Sequence, residues 1–230
     1  MKVRYLLTAL VLVPLITSAV IGCSTPAAIL EPPDIADGWI RINIKDVGSI
    51  DYPTDFLEIQ SEDYRDIAKE TSQVLGLGKS DFTLQQVGLN ELRPSALKEY
   101  RRVLFRTDIL NPGEEVFKAN EKYTASPQEL AEFKNMLIDQ LLQGFAEMET
   151  KGVNNKIIDP GSIEIVEVNG MFPLLHTYRR QLNDNPIVLV KTYLFWNYDK
   201  IHPLAFSCRV MDEEECKDVY EKMLYSFRLQ

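Results

Sequence analysis

The sequence predicts an α+β fold: a central, mainly antiparallel sheet covered by helices on both faces, an α/β/α sandwich. Three observations predict it. Residues 163–168 and 171–182 flank Asn169-Gly170, a pair that accepts positive φ and suits a two-residue type I′ hairpin turn. The run from Ile187 to Trp196 is apolar on both faces, with Val188, Val190, Leu194 and Trp196 alternating with Ile187, Leu189, Tyr193 and Phe195, so both sides need cover. Two helical patterns, one from Ser126 and one from about Asp212 to Tyr225, are available to supply it.

The elements follow in order. From Trp39, Ile40, Ile42 and Ile44 alternate with Arg41, Asn43 and Lys45, a half-buried strand. Ser49-Ile50-Asp51-Tyr52 forms a second short strand, stopped by Pro53, and Phe56 to Gln60 continues it. Residues 61–80 have no clear period; 81–89 and 100–109 read as extended, with Val103, Phe105 and Ile109 on one face. Ser126 as N-cap, Pro127 at the first helical position and Glu129 two residues later form a capping box. Leu130, Phe133, Leu137, Leu141, Phe145 and Met148 then make an apolar stripe that ends near Gly152. After the hairpin, Asn183 to Pro186 and Asp199-Lys200 mark two further turns. Leu204, Phe206, Cys208 and Val210 point inward, as do Cys216, Val219, Tyr220, Met223 and Phe227 of the last helix. Asp212 to Glu215 sit at its start, where the helix dipole favours anions.

The chain has 230 residues, 45% apolar and 26% charged, enough to bury one substantial core. Its formal charge of −9 has the wrong sign for neutralising nucleic-acid phosphates, so no nucleic-acid partner is expected. Three cysteines and two histidines occur without a CxxC or HExxH pair, and no metal or cofactor is expected.

The first thirty residues carry the most specific signal. Lys2 and Arg4 precede 26 uncharged residues, Tyr5 to Leu30, a basic segment feeding an apolar one. Within it, Val20-Ile21-Gly22-Cys23 resembles the lipobox of bacterial lipoprotein precursors. That resemblance implies a diacylglyceryl thioether on Cys23, cleavage after Gly22 and acylation of the new amino terminus. Residues 1–22 are then a signal peptide, 23–38 a lipid-anchored tether containing Pro26, Pro32 and Pro33, and 39–230 one globular domain. Two or three acyl chains hold a protein at a membrane where one does not. The competing reading is an uncleaved membrane-spanning helix. Both keep Lys2 and Arg4 inside and put the domain outside. Ser24 resembles residues that permit export to an outer membrane. The expected location is the extracytoplasmic face of the cell membrane or outer membrane. Losing the leader removes two positive charges and no negative one, taking the formal charge from −9 to −11.

An oxidising compartment would let Cys208 and Cys216 form a disulfide, and so short a loop would contribute roughly 2–3 kcal/mol. The alternative is two small buried apolar side chains. Residues 39–230 also resemble the PsbP-like family, which includes photosystem lumenal subunits and a Ran-binding nuclear relative. The resemblance rests on Gly48-Ser49-Ile50-Asp51-Tyr52-Pro53 with Phe56, on the meander, and on the closing helix that runs into Ser226-Phe227. It implies an α/β/α sandwich used as a docking surface, usually without chemistry of its own; the 100–130 region is longer than that pattern.

No catalytic residues assemble from the sequence. Gly76-Leu77-Gly78-Lys79-Ser80 suggests a phosphate loop, but Gln73 stands where a Walker loop needs glycine. There is no G-x-S-x-G elbow. His176 and His202 read as hydrogen-bonded strand residues, and Arg101-Arg102 and Arg179-Arg180 as solvated ones. Tyr193, Phe195, Trp196, Tyr198 and Phe206 concentrate aromatic surface, mostly core, with Tyr193, Trp196 and Tyr198 as candidates for a binding groove. The expectation is a non-catalytic binding or scaffolding lipoprotein with an envelope protein partner. The alternatives are an envelope hydrolase using dispersed carboxylates or a histidine, and a carrier of small apolar ligands.

Overall fold

The structure, a computed structural model, describes residues 34–61, 81–91, 93–110, 118–122, 124–150 and 152–230. The leader, Cys23 and the Gly76–Ser80 loop lie outside the described residues.

The described fold is α+β, mainly sheet, with two long helices. Strands β1 (Trp39–Ile44), β2 (Gly48–Pro53) and β11 (Arg228–Leu229) form a small sheet in the order β1-β2-β11. A larger sheet has the order β3-β4-β5-β10-β9-β8-β7. Its strands are β3 (Leu57–Ile59), β4 (Phe82–Gln86), β5 (Arg101–Phe105), β7 (Asn155–Ile165), β8 (Leu174–Leu182), β9 (Val188–Asn197) and β10 (Lys200–Arg209). The short β6 (Asp108–Ile109) also pairs with β10, and every pairing in both sheets is antiparallel. Helix α1 spans Pro127–Glu149 and α2 spans Glu213–Ser226.

The capping box of α1 is complete: the Ser126 hydroxyl accepts from the Glu129 amide at 3.2 Å, and the Ser126 amide donates to the Glu129 carboxylate at 2.7 Å. Two orphan donors of the first turn are thereby satisfied. Helix α1 packs on β7 and reaches β9, where Phe133 meets Trp196 with ring centroids 6.4 Å apart. Leu141 rests on Tyr178, Val188 and Val190. Every residue of its apolar stripe is half-buried or exposed, so this helix lies over the sheet rather than inside a core.

The main core lies elsewhere. Leu84, Val103, Phe105, Phe195 and Leu204 of the large sheet pack with Ile50 of the small one and with Met223 and Phe227 at the end of α2, all fully or almost fully buried. Phe227 sits against Phe195 at 4.8 Å and Phe105 at 5.7 Å between ring centroids, which joins the two sheets through one side chain.

The Asn169-Gly170 turn forms as predicted, with both residues at positive φ, 52° and 74°. Several boundaries differ. The third turn is Tyr198-Asp199, since Asn197 pairs with Lys200, and Tyr198 itself adopts φ 57°. Ile109 does not share the face of Val103 and Phe105: the strand breaks at Arg106, and Ile109 is 71% exposed in the separate β6. Strand β7 begins at Asn155, well before residue 163, because Gly161 absorbs an irregularity around Pro160 that breaks the alternation. The final strand β11, only two residues long, is too short to carry a period.

Candidate functional site

Two places in the described structure combine polar chemistry with burial, and the sequence names some members of each. The first is the corner where β10 turns into α2. Cys208, the penultimate residue of β10, lies opposite Leu189 of β9 and Arg101 of β5. Cys216 is the fourth residue of α2. The corner is fixed by a 3-10 turn over Val210–Asp212 and by Arg209, whose guanidinium grips Asp212 at 2.6 and 3.0 Å and also bonds the Lys98 carbonyl. The Tyr220 hydroxyl donates to the Ser207 carbonyl at 3.0 Å, tying α2 to the strand.

This geometry brings Cys208 and Cys216 to one pocket as buried free thiols whose side chains interact. That contact, reinforced by burial, pushes the Cys208 thiol well above its ordinary range. The same contact lowers the Cys216 thiol; burial opposes this, and the Arg101 guanidinium adds to it. Arg101 stands 4.1 Å above the Phe56 ring and is bonded to Glu99 and Glu215. Both thiols line a pocket of about 60 Å³ between β9, β10 and α2, flanked by Lys191, Glu213 and Lys217.

The second place is the sheet face toward α1. Arg180 donates to the Tyr100 hydroxyl at 2.8 Å, and the Arg102 guanidinium lies 5.8 Å from the Tyr100 ring centre. Burial alone would raise this phenol, but Arg180 and Arg102 outweigh it and bring it down to about 8. Arg101, Arg102 and Arg180 are thus half-buried and partnered, not solvated as expected. Arg179 is the exception, with its side chain 44% exposed beside Asp159. The sequence held no sign of this cluster, because Tyr100 and Arg180 meet only through strand pairing.

Both histidines are sealed into the sheet. His202 is fully buried, stacked on Phe105 at 5.8 Å between ring centroids. Its Nδ1 lies 3.2 Å from the Thr107 hydroxyl, which donates to Asp81 at 2.7 Å. Burial, with Lys200 nearby, lowers its pKa to about 4. His176 stacks on Tyr178 and is lowered by burial, against a hydrogen bond to the Pro160 backbone. Neither ring lines the thiol pocket or the pocket of Ile42–Lys45, Asp81 and Phe82.

The three groove candidates are not brought together. Tyr193 packs on Phe206, with Tyr220 beside the same pocket, whereas Trp196 meets Phe133 of α1 on the opposite side of β9. Tyr198 sits at the β9–β10 turn, 55% exposed. Among the described residues no group of three His, Cys, Asp or Glu is placed to hold a metal ion.

Comparison with known proteins yields likeness of shape only. No protein-family profile matches the chain, and no curated protein sequence matches it. Among solved structures, the chain is similar to cyanobacterial PsbP (CyanoP) from Synechocystis sp. PCC 6803, with a TM-score of 0.48 and 11% identity over 91% of this chain and 99% of that one. It is also similar to a protein from Bacteroides thetaiotaomicron VPI-5482, with a TM-score of 0.41 and 8% identity over 84% of this chain. The chain spans about half of that second protein, 48% of its length. The PsbP-like resemblance read from the sequence returns here as a weak likeness of fold.

Proposed function

We propose that this protein is a membrane-tethered extracytoplasmic lipoprotein whose α+β domain acts as a non-catalytic docking or scaffolding module for another envelope component. The observation that carries the reading is the charge-free run that ends in Val20-Ile21-Gly22-Cys23. The lipid on Cys23 holds the protein at the surface, and the proline-containing segment up to residue 38 sets the domain off from it. With a formal charge of −11 after processing, the domain is repelled by anionic headgroups, which leaves it free to meet a protein partner.

The domain is read as a sandwich. Residues of one parity on β9, Val188, Val190 and Trp196, meet α1, while Tyr193 and Phe195 of the other parity meet α2 and the Phe227 that follows it. The roles found for His176 and His202 are packing and hydrogen bonding within the sheet, which supports binding over hydrolysis.

Cys23→Ala tests the anchor. The wild-type chain should begin at Cys23 and carry acyl mass, whereas the variant should accumulate as unprocessed precursor without it. A wild-type chain that keeps residues 1–22, carries no lipid and fractionates with the cytoplasm would overturn the proposal.

A further inference from the structure

Among the described residues, three places bear chemistry: the Tyr100–Arg180–Arg102 cluster, the His202–Thr107–Asp81 chain and the paired thiols. The first two bond within the protein and do not line the thiol pocket, although His202 Nε2 is buried without a hydrogen-bond partner among the described residues. The thiols differ because both line one pocket, and because two free cysteines there have a bond still open to them.

We infer that Cys216 and Cys208 form a peroxide-sensitive dithiol, in which Cys216 is the attacking sulfur and Cys208 the resolving one.

The polarity follows from the surroundings. Cys216 stands in the first turns of α2, where backbone amides favour an anion, and the Arg101 guanidinium faces the same corner, against the carboxylates of Asp212 and Glu215. Cys208 lies on a strand fixed by pairing on both sides, away from any helix amides, with Asp212 and Glu213 facing it, and is assigned as the thiol that waits until its neighbour is oxidised. Both are almost completely buried, at 4% and 1% exposure, so the reagent has to enter through the pocket. A volume of about 60 Å³ holds a few waters, enough for hydrogen peroxide and far too little for a tripeptide disulfide.

The chemistry balances. The Cys216 thiolate attacks one peroxide oxygen; a sulfur–oxygen bond forms, the oxygen–oxygen bond breaks and hydroxide leaves. The Cys208 sulfur then attacks the Cys216 sulfenic acid, forming the disulfide and expelling the second oxygen as water. The two thiol protons end in the water released, so two thiols and one peroxide give one disulfide and two waters. Both cysteines line the same small pocket, and the corner that presents them is pinned by Arg209–Asp212 and Tyr220–Ser207, so one entering oxidant meets both.

The test treats the full chain with stoichiometric hydrogen peroxide, then alkylates, digests with trypsin without reductant and maps the peptides. Residues 201–209 and 210–217, which hold one cysteine each, should appear as a linked pair that thiol reductant separates. Cys208→Ser should stop at a single added oxygen on Cys216, and Cys216→Ser should oxidise at Cys208 at least about tenfold more slowly than wild type loses its thiols. Oxidised glutathione at equal concentration should react more slowly than peroxide. Wild-type peptides that remain separate and fully alkylated after peroxide treatment would overturn the dithiol; this arm needs no variant to fold. Cys216→Ser oxidising as quickly as wild type would overturn the polarity, and glutathione matching peroxide would overturn the choice of oxidant.

Discussion

The imidazole of His202 is fully enclosed, with Phe105 stacked on it and Nδ1 engaged by Thr107. A charged ring here would lose its hydration, which is why the pKa falls from 6.5 to about 4. Protonation therefore favours the unfolded chain, where the ring binds a proton first as pH drops. Stability attributable to His202 is intact above about pH 6.5, declines as the pH falls toward 4, and levels off below that, a total of about 3 kcal/mol. His176, lowered by burial as well, contributes with the same sign. Urea midpoints measured from pH 7 to pH 4 should fall for the wild type and fall less steeply for His202→Gln. Parallel curves would mean that this ring does not drive the acid sensitivity. Burial and hydrogen bonding of this histidine were foreseeable from its place in an apolar strand; its partner Thr107, 95 residues away, was not.

The most constrained feature among the elements is the β7 irregularity. Gly161 has φ +60°, and a Cβ on it would lie 1.8 Å from the Thr177 carbonyl oxygen. Its amide donates to the Asp159 carboxylate at 2.9 Å, and its carbonyl accepts from Lys134 of α1 at 3.0 Å. Gly161→Ala should cost about 2–3 kcal/mol in chemical denaturation, from strain at positive φ and displacement of β8. Hydrogen exchange should be accelerated in α1 as well as in β7 and β8; acceleration confined to the strands would show that α1 does not depend on the bulge. Elements of this kind divide what the sequence reveals. The capping box at Ser126, the Asn169-Gly170 turn and the two-sided run of β9 declare themselves locally, in neighbours one to four residues apart. The start of β7, the β11 pairing and the Tyr100–Arg180 contact depend on residues distant in the chain, and no local period encodes them. The cysteine pair falls between: inward parity placed both thiols toward one layer, but the pocket beside them needed the strand order.

Across the whole molecule, Phe227 is the side chain on which the two sheets converge. It is fully buried, follows α2, and touches Phe105 and Phe195 of the large sheet while β11, one residue later, pairs with β2 of the small one. Phe227→Ala should destabilise the domain by about 3–5 kcal/mol, the range for emptying an aromatic site in a packed core. Loss of near-ultraviolet and far-ultraviolet circular dichroism should remain one coincident transition, since both sheets share that core. Two separated transitions would show that the small sheet folds by itself.

The small sheet also gives the molecule a direction. In it β1 and β11 flank β2 on either side, with Trp39 opposite Pro53 and Leu229 opposite Gly48. The polypeptide thus enters at one end of β2 and leaves at the other, roughly 17 Å further along at about 3.4 Å per residue. If the proposed N-terminal lipid is present, the last residue emerges from the end of this sheet remote from the entry point. A reporter fused after Gln230 would then sit at the Gly48 end of β2, away from the Pro53 end where Trp39 enters the sheet.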